Sequence, residues 1–200
     1  MRDAVRATLA VLFGYVLGSF PSADLVTRVA TRGQVEIRRV GSGNPGTLNA
    51  MQVLGTVWGV VVLGLDLAKG IAAGFVGLAF AGDGGAYAAA TASIGGHIFP
   101  VWTRFRGGKG VAVSAGACLA VFPAYFPINL VVALLSALRS RRAELGTRVG
   151  CAVWVLSACL WWVFEWPNLW GPAPGPGLLA FSVAGSAMIL WAFSAAKSLG

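Results

Sequence analysis

The sequence predicts an all-α, polytopic integral membrane protein, a single domain over residues 1–200 with about seven transmembrane helices. Three observations predict it. First, 57% of the 200 residues are hydrophobic and 11% are charged, with a mean hydropathy of +0.76. An average soluble domain carries about 25% charged residues, and one of this size still leaves about a third of its unfolded-chain surface in water. It could not hide this much apolar surface. Second, the apolar residues collect in runs of the length a bilayer demands, about 20 residues each. Third, fifteen Lys and Arg oppose seven Asp and Glu, a formal net charge of +8, and these cations lie almost wholly between the apolar runs. The same composition excludes a disordered chain, which requires low hydrophobicity.

The elements follow in order. A first span is expected over residues 4–27. Arg2 and Arg6 precede it, but no A-x-A-like cleavage site follows before the polar stretch 27–43, so it reads as a retained span. A second is expected over 50–81, interrupted by Asp66 and Lys69, and a third over 85–102. The run 111–138 is too long for one comfortable span, and Pro123 and Pro127 break its middle. It divides into 110–122 and 124–138. Residues 147–165 and 177–196 complete the set. Between these last two, residues 166–177 hold four Pro and three Gly and form an external loop.

The cations orient this arrangement. With the N-terminus outside, the inside segments hold Arg28, Arg32, Arg38, Arg39, Arg104, Arg106, Lys109, Arg139, Arg141, Arg142, Arg148 and Lys197, twelve of the fifteen. Only Arg2 and Arg6 are outside, and Lys69 is in the membrane. The positive-inside rule gives N-out, C-in. Leaving 111–138 unbroken would put Arg139–Arg148 outside. Trp102, Trp166 and Trp170 fall at expected span ends, where amphipathic rings prefer to sit. The 28 glycines recur at fourfold spacing with other small residues, as in Gly70 and Gly74 or Ala112 and Gly116, which lets helices pack closely in lipid. Cys118, Cys151 and Cys159 are odd in number, lie in apolar runs and form no CxxC. They read as small reduced core residues, with no metal site.

Three polar elements look chemical. Gly41-x-Gly43-x-x-Gly46 matches a dinucleotide fingerprint literally, but no buried strand precedes it and Asp66, twenty residues on, lies in a span. That reading is rejected. What remains is a glycine nest whose backbone N–H groups can face an anion, feeding a helix N-terminus. Ser42, Asn44, Thr47 and Asn49 add neutral hydrogen-bonding groups. Gly107-Gly108-Lys109-Gly110 opens another helix on the same side and adds a cation. Two such loops on one face point to a substrate carrying phosphate. Asp66 and Lys69, three apart within a span, share one helix face and can pair. They are costly there, and either contact substrate or tie helices together. His97 is the sole histidine and lies just ahead of the second loop.

Together these elements resemble the bacterial acyl-phosphate:glycerol-3-phosphate acyltransferase family. The resemblance rests on Gly18-Ser19-Phe20-Pro21-Ser22, Gly41-Ser42-Gly43-Asn44-Pro45-Gly46 with Asn49, Leu65-Asp66-x-x-Lys69-Gly70, and Gly96-His97-Ile98-Phe99-Pro100-Val101 running to Gly107-Gly108-Lys109-Gly110-Val111-Ala112. It spans about residues 14–113. It implies transfer of a fatty acyl group from acyl phosphate to the 1-hydroxyl of sn-glycerol 3-phosphate, giving lysophosphatidic acid, the first acylation of phospholipid synthesis. It implies no organic cofactor, no metal and no nucleic-acid partner. The enzyme would sit among lipids in a bacterial inner membrane, multi-pass, with a cytoplasmic active face. Ser42 and Lys109 are the implied catalytic residues, Lys109 holding a substrate phosphate. Gly41, Gly43, Asn44, Gly46, Asn49, Asp66, Lys69, His97, Gly107 and Gly108 are the implied substrate-binding set.

The chain departs from the family's pattern at three places. Gly46-Thr47-Leu48-Asn49 stands where Gly-Ala-Thr-Asn is usual. Gln52 stands where an Arg is usual, and an amide does not replace a guanidinium fork on phosphate. The usual His-x-x-Asn of the last span is missing, with Phe193 and Ala196 near those positions. Two alternatives follow: a homologue that binds the phosphate substrates without turnover, and a small anion transporter motivated by Asp66 and Lys69. No inverted repeat supports the second.

Overall fold

The computed structural model describes residues 1–139 and 143–198, with side chains over 1–132 and 145–196. Arg141, Arg142 and the side chains of Arg139 and Lys197, part of the expected inside charge, lie outside the described residues. The described residues form eight α-helices: α1 Arg2–Ser19, α2 Ser22–Ala30, α3 Thr47–Leu54, α4 Thr56–Ile98, α5 Val111–Val121, α6 Phe126–Arg139, α7 Ala143–Phe164 and α8 Pro176–Ser198. Each apolar stretch expected to span the membrane is mostly α-helical.

The expected boundaries shift at three places, each for a local reason. The first span is broken at Phe20–Pro21, because proline cannot donate a helical hydrogen bond, and α2 carries it on to Ala30. The expected second span begins as a separate short helix, α3, which stops at Gly55 with φ +93°. The expected second and third spans are continuous as α4.

At 1.5 Å per residue, 43 residues would run about 65 Å, twice the hydrocarbon thickness, so α4 cannot be straight across a bilayer. It turns back at Ala81 (φ −143°) and Gly82 (φ +63°, ψ −157°), a conformation glycine alone adopts freely. The two arms close so tightly that a Cβ on Gly77 would enter Gly85 and Ala89. Counted by length and composition, four stretches can cross a membrane: Arg2–Ala30, Thr56–Thr103, Leu145–Phe164 and Pro176–Ala196. A fifth is the pair Val111–Val121 and Pro123–Val132, bent by 120°. That count is lower than seven because α4 is one stretch by this measure, and because α5, at 11 residues, spans only about 17 Å.

Small residues fasten the bundle, as lipid-embedded helices require. A Cβ on Gly14 would strike the backbone of Ala89, one on Gly18 that of Ser93, and one on Gly96 that of Tyr15 and Ser19. On the other arm, Gly70 and Gly116 meet the backbones of α5 and α4 in the same way. Between the second arm, α5, α7 and α8 lies the main apolar core, with Phe122, Tyr125, Trp154 and Phe181 in mutual ring contact.

Contacts sort the loops into two ends. At one, Arg38 donates to the Arg106 carbonyl, joining the loop before α3 to the loop before α5. At the other, the turn of α4 meets the Pro-rich loop before α8: the Ala173 N–H donates to Asp83, and Tyr87 to the Pro172 and Ala173 carbonyls. Asn168 and Trp170 in that loop donate to Val121 and Leu119 at the end of α5. The described loop cations gather at the first end, as the sequence count expects, and Asp83 and Glu165 lie at the second.

Gly18→Ala should therefore lower stability by about 1–3 kcal/mol, read as a lower melting temperature in detergent. Gly64→Ala, in the same bundle but with nothing within 4 Å of an added Cβ, should leave melting unchanged or slightly raised.

Candidate functional site

The break at Phe20–Pro21 frees backbone carbonyls inside the bundle, and Lys69 satisfies one of them. Its Nζ donates to the Phe20 carbonyl at 2.9 Å and to Ser22 Oγ at 3.3 Å, and pairs with Asp66 Oδ1 at 2.9 Å. Asp66 and Lys69 are 2% and 6% exposed. His97, from the other arm of α4, places Nδ1 3.9 Å from the same carboxylate oxygen. Gly108 packs on His97 Nε2, where any side chain would collide, and its N–H donates to the His97 carbonyl at 3.1 Å. These groups line a cavity with Ser19, Asp24, Arg38, Pro45 and Gly107. Its free volume, about 10 Å³, holds roughly one water.

A second polar contact joins the loops above this cavity. Arg38 binds Asp24 through both carboxylate oxygens, at 2.6 and 2.8 Å, and gives its remaining arm to the Arg106 carbonyl. Thr103 Oγ1 donates to the same carbonyl at 2.9 Å. The segment leading into Gly107 is tightly wound: Arg104 and Phe105 take φ +54° and +60°, the left-handed region that bulky side chains avoid. Four bonds hold it there: from Arg38 and from the Thr103 hydroxyl to the Arg106 carbonyl, from the Phe105 N–H to the Pro100 carbonyl and from the Arg106 N–H to the Thr103 carbonyl.

The loop of Gly41–Gly46 differs from the open nest expected of it. Asn49 reaches back from the first turn of α3 and closes it. Its Oδ1 accepts the Ser42 N–H at 2.8 Å, and its Nδ2 donates to the Ile37 and Val40 carbonyls at 3.1 Å each. The Gly43 N–H goes to the Val40 carbonyl, the Asn44 N–H to Ser42 Oγ, and the Gly46 N–H to the Asn44 carbonyl. These amides are used inside the loop, so anion binding there falls to side chains and to the helix start. Ser42 and Gly41 are exposed, and Gly43, Asn44 and Gly46 half-buried.

The structure thus brings Asp66, Lys69, His97, Gly107 and Gly108 together around one small cavity. Asn49 is a loop brace, and Gly41, Ser42, Gly43, Asn44 and Gly46 lie on the adjoining surface, with Pro45 alone of that loop in the cavity wall. Lys109 faces another way, with Nζ 4.3 Å from the ring centroid of Phe193 on α8. Gln52 is exposed. Sequence reasoning missed Asp24 as the partner of Arg38, and the roles of the Phe20 carbonyl and Ser22 hydroxyl. The proline at the end of a span was the available signal for the latter two, since it announces carbonyls without helical donors.

Two outcomes follow. Asp66→Ala leaves a buried ammonium without its counter-charge and should cost about 3–5 kcal/mol, read as loss of folded protein on heating or on extraction. Arg38→Lys keeps the charge but loses the fork. Amide hydrogen exchange should then quicken at Arg104–Lys109 while the core of α4 stays protected.

The glycerol-3-phosphate acyltransferase family model matches residues 8–197. The glycerol-3-phosphate acyltransferase of Rubrobacter xylanophilus is 38% identical over 188 residues, 92% of this chain and 85% of that one. The one from Thermoanaerobacter pseudethanolicus is 33% identical over 156 residues, 78% of each. Among solved structures, PlsY, an integral membrane glycerol 3-phosphate acyltransferase, aligns in its glycerol 3-phosphate form with a TM-score of 0.77 and 28% identity, covering 96% of this chain and 90% of that one. Its lysophosphatidic acid form aligns over the same shares with a TM-score of 0.78 and 26% identity. The all-helical bundle of the described residues, its paired loops and this match over nearly the whole chain agree: the protein belongs to the glycerol-3-phosphate acyltransferase family of integral membrane proteins.

Proposed function

We propose that the protein acylates the 1-hydroxyl of sn-glycerol 3-phosphate with acyl phosphate as donor, releasing lysophosphatidic acid and phosphate. The observation that carries this reading is the junction of the two motif loops at the cation-rich end, where Arg38 ties the loop of Ser42 to the loop of Lys109. Two phosphate-bearing substrates need neighbouring anion sites on one face, and no metal or organic cofactor enters the step. The hydroxyl oxygen forms a bond to the acyl carbon, the bond from that carbon to the phosphate oxygen breaks, and the phosphate leaves with the electron pair and takes up the proton that the hydroxyl gives up, departing as hydrogen phosphate. Ser42 and Asn44 offer neutral donors beside the first loop, and Lys109 a cation for the charge on a substrate phosphate. Fixed donors of this kind act by stabilising developing charge, and holding both substrates adds the gain of proximity.

The placement of the catalytic end follows from the same charges. Arg28, Arg32, Arg38, Arg39, Arg104, Arg106 and Lys109 gather there, which by the positive-inside rule makes it the cytoplasmic face of a bacterial inner membrane. On this reading the chain runs N-out, C-in with seven crossings, two of them the arms of α4 and two the short helices α5 and α6 on either side of their bend.

One observation favours a second reading, binding without turnover. The partner of Lys109 on α8 is the Phe193 ring, where the family pattern has a histidine. Transport has less support, because the buried pair Asp66–Lys69 closes on its neighbours around a space for one water.

Purified protein given acyl phosphate and glycerol 3-phosphate should form lysophosphatidic acid, and absence of product at high enzyme concentration overturns the catalytic reading. Lys109→Ala should lower kcat/KM by about 100-fold, the scale seen when one charge-stabilising donor is removed, with the fold intact by melting temperature.

A further inference from the structure

The segment between α4 and α5 carries side chains that the proposed reaction leaves unused. Val101, Trp102 and Phe105 are 43%, 63% and 61% exposed, and Arg104 and Arg106 beside them are exposed as well. Phe105 takes φ +60°, a strained conformation for a bulky residue. The strain leaves its ring outside the core. The height of the segment is fixed by its neighbours. It joins one stretch able to cross a membrane, Thr56–Thr103, to the bent pair that starts at Val111. It stays close to the end of α4, because the Phe105 N–H donates to the Pro100 carbonyl at 2.9 Å and the Gly108 N–H to the His97 carbonyl at 3.1 Å. The two rings therefore stand where the chain meets the bilayer surface, covered only in part by protein.

The charges say what covers it. At the same end Arg38 is bound to Asp24, and Arg39 to Glu36 at 2.7 Å, so each faces a carboxylate. Arg104 and Arg106 form no ion pair among the described residues, and no Asp or Glu occurs anywhere in residues 84–143. Two exposed guanidiniums beside two exposed rings at a bilayer surface thus lack a counter-charge from their own part of the chain. An anionic leaflet supplies one, since it attracts Lys and Arg at its surface, and aromatic rings favour the boundary between headgroups and acyl chains. We propose that residues 101–106 dock anionic phospholipid headgroups of the surrounding bilayer. Trp102 and Phe105 sit in the headgroup–acyl boundary, and Arg104 and Arg106 meet the lipid phosphates. A planar guanidinium can bind two phosphate oxygens at once. A zwitterionic headgroup carries the same phosphate but brings its own cation, so the segment selects lipids with net negative charge. Lipid docking needs no turnover, so its test is separate from that of the catalytic reading.

The test places a thiol-reactive fluorophore on Phe105→Cys in the full-length protein, reconstituted in phosphatidylcholine bilayers. The wild type, treated alike, is the blank for Cys118, Cys151 and Cys159. Phosphatidylglycerol or phosphatidylcholine brominated near the top of the acyl chains is then added in equal amounts, and quenching is read for each. Both lipids should quench, because the position lies in the headgroup–acyl boundary. Brominated phosphatidylglycerol should quench at least about twofold more at low salt, since each basic residue favours an anionic surface several-fold. The excess should shrink at high salt, which screens exposed charges, and vanish when Arg104→Gln and Arg106→Gln are added. Should Phe105→Cys fail to fold, Val101→Cys carries the probe for the same comparison. Absence of quenching by either lipid puts the segment in water and overturns the docking. Equal quenching by the two lipids, or an excess that survives Arg104→Gln with Arg106→Gln, overturns the assignment to anionic headgroups.

Discussion

A buried lysine ammonium organises the cation-rich end of this molecule. Lys69 sits within the bundle, where an ionised side chain costs several kcal/mol unless it is paired. It is answered from three directions: a carboxylate one turn away on its own helix, the Phe20 carbonyl freed by Pro21, and the hydroxyl of Ser22. The break between α1 and α2 and the buried charge satisfy each other's polar groups. That exchange fixes the direction in which α2 leaves the bundle. α2 carries Asp24, Asp24 holds Arg38, and Arg38 holds the loop that presents Lys109. The path from a buried pair to the loop surface is short and made of hydrogen bonds, each with a named partner.

Close packing supplies the other half of the architecture. The helices have no hydrophobic drive to associate in lipid, because lipid tails are as apolar as leucine. Their contacts run instead through glycine against backbone, at Gly14, Gly18, Gly70, Gly96 and Gly116. This explains how a chain with 28 glycines can be mostly helical over its described residues. The glycines that matter for the site do something different. Gly108 lies flat on the imidazole of His97, so the loop and the second arm of α4 approach each other as closely as two backbones and a ring permit.

Much of this was legible in the residues. The alternation of apolar runs and cationic loops gave the helical stretches and the end at which the charge collects, because both follow from the cost of putting charge in hydrocarbon. The spacing of Asp66 and Lys69 gave their pairing, because three residues is nearly one helical turn. The fork between Asp24 and Arg38 was not legible. Fourteen residues and a turn separate them, and no periodicity records which way a turn sends the chain. The loop of Gly41–Gly46 was misread as an open nest for a related reason. Glycine spacing shows that amides can converge, but not that the side chain of Asn49 will fold back and take them. An Asn in the first turn after such a loop is itself the clue, since short amide side chains compete for nearby backbone groups.

The ion pair also has a consequence for the order of assembly. The chain is made from its N-terminus, and elements form as they emerge. When Lys69 enters the bilayer, Asp66 is already beside it, and Phe20 and Ser22 have already been synthesised. No partner of the ammonium has yet to arrive. Only His97 comes later, and it arrives by the tight turn at Ala81–Gly82, a contact local enough to form without searching a long loop. The charged turn can therefore be laid down in hydrocarbon as a finished unit, so that the most costly part of the sequence to insert never waits for the rest of the protein.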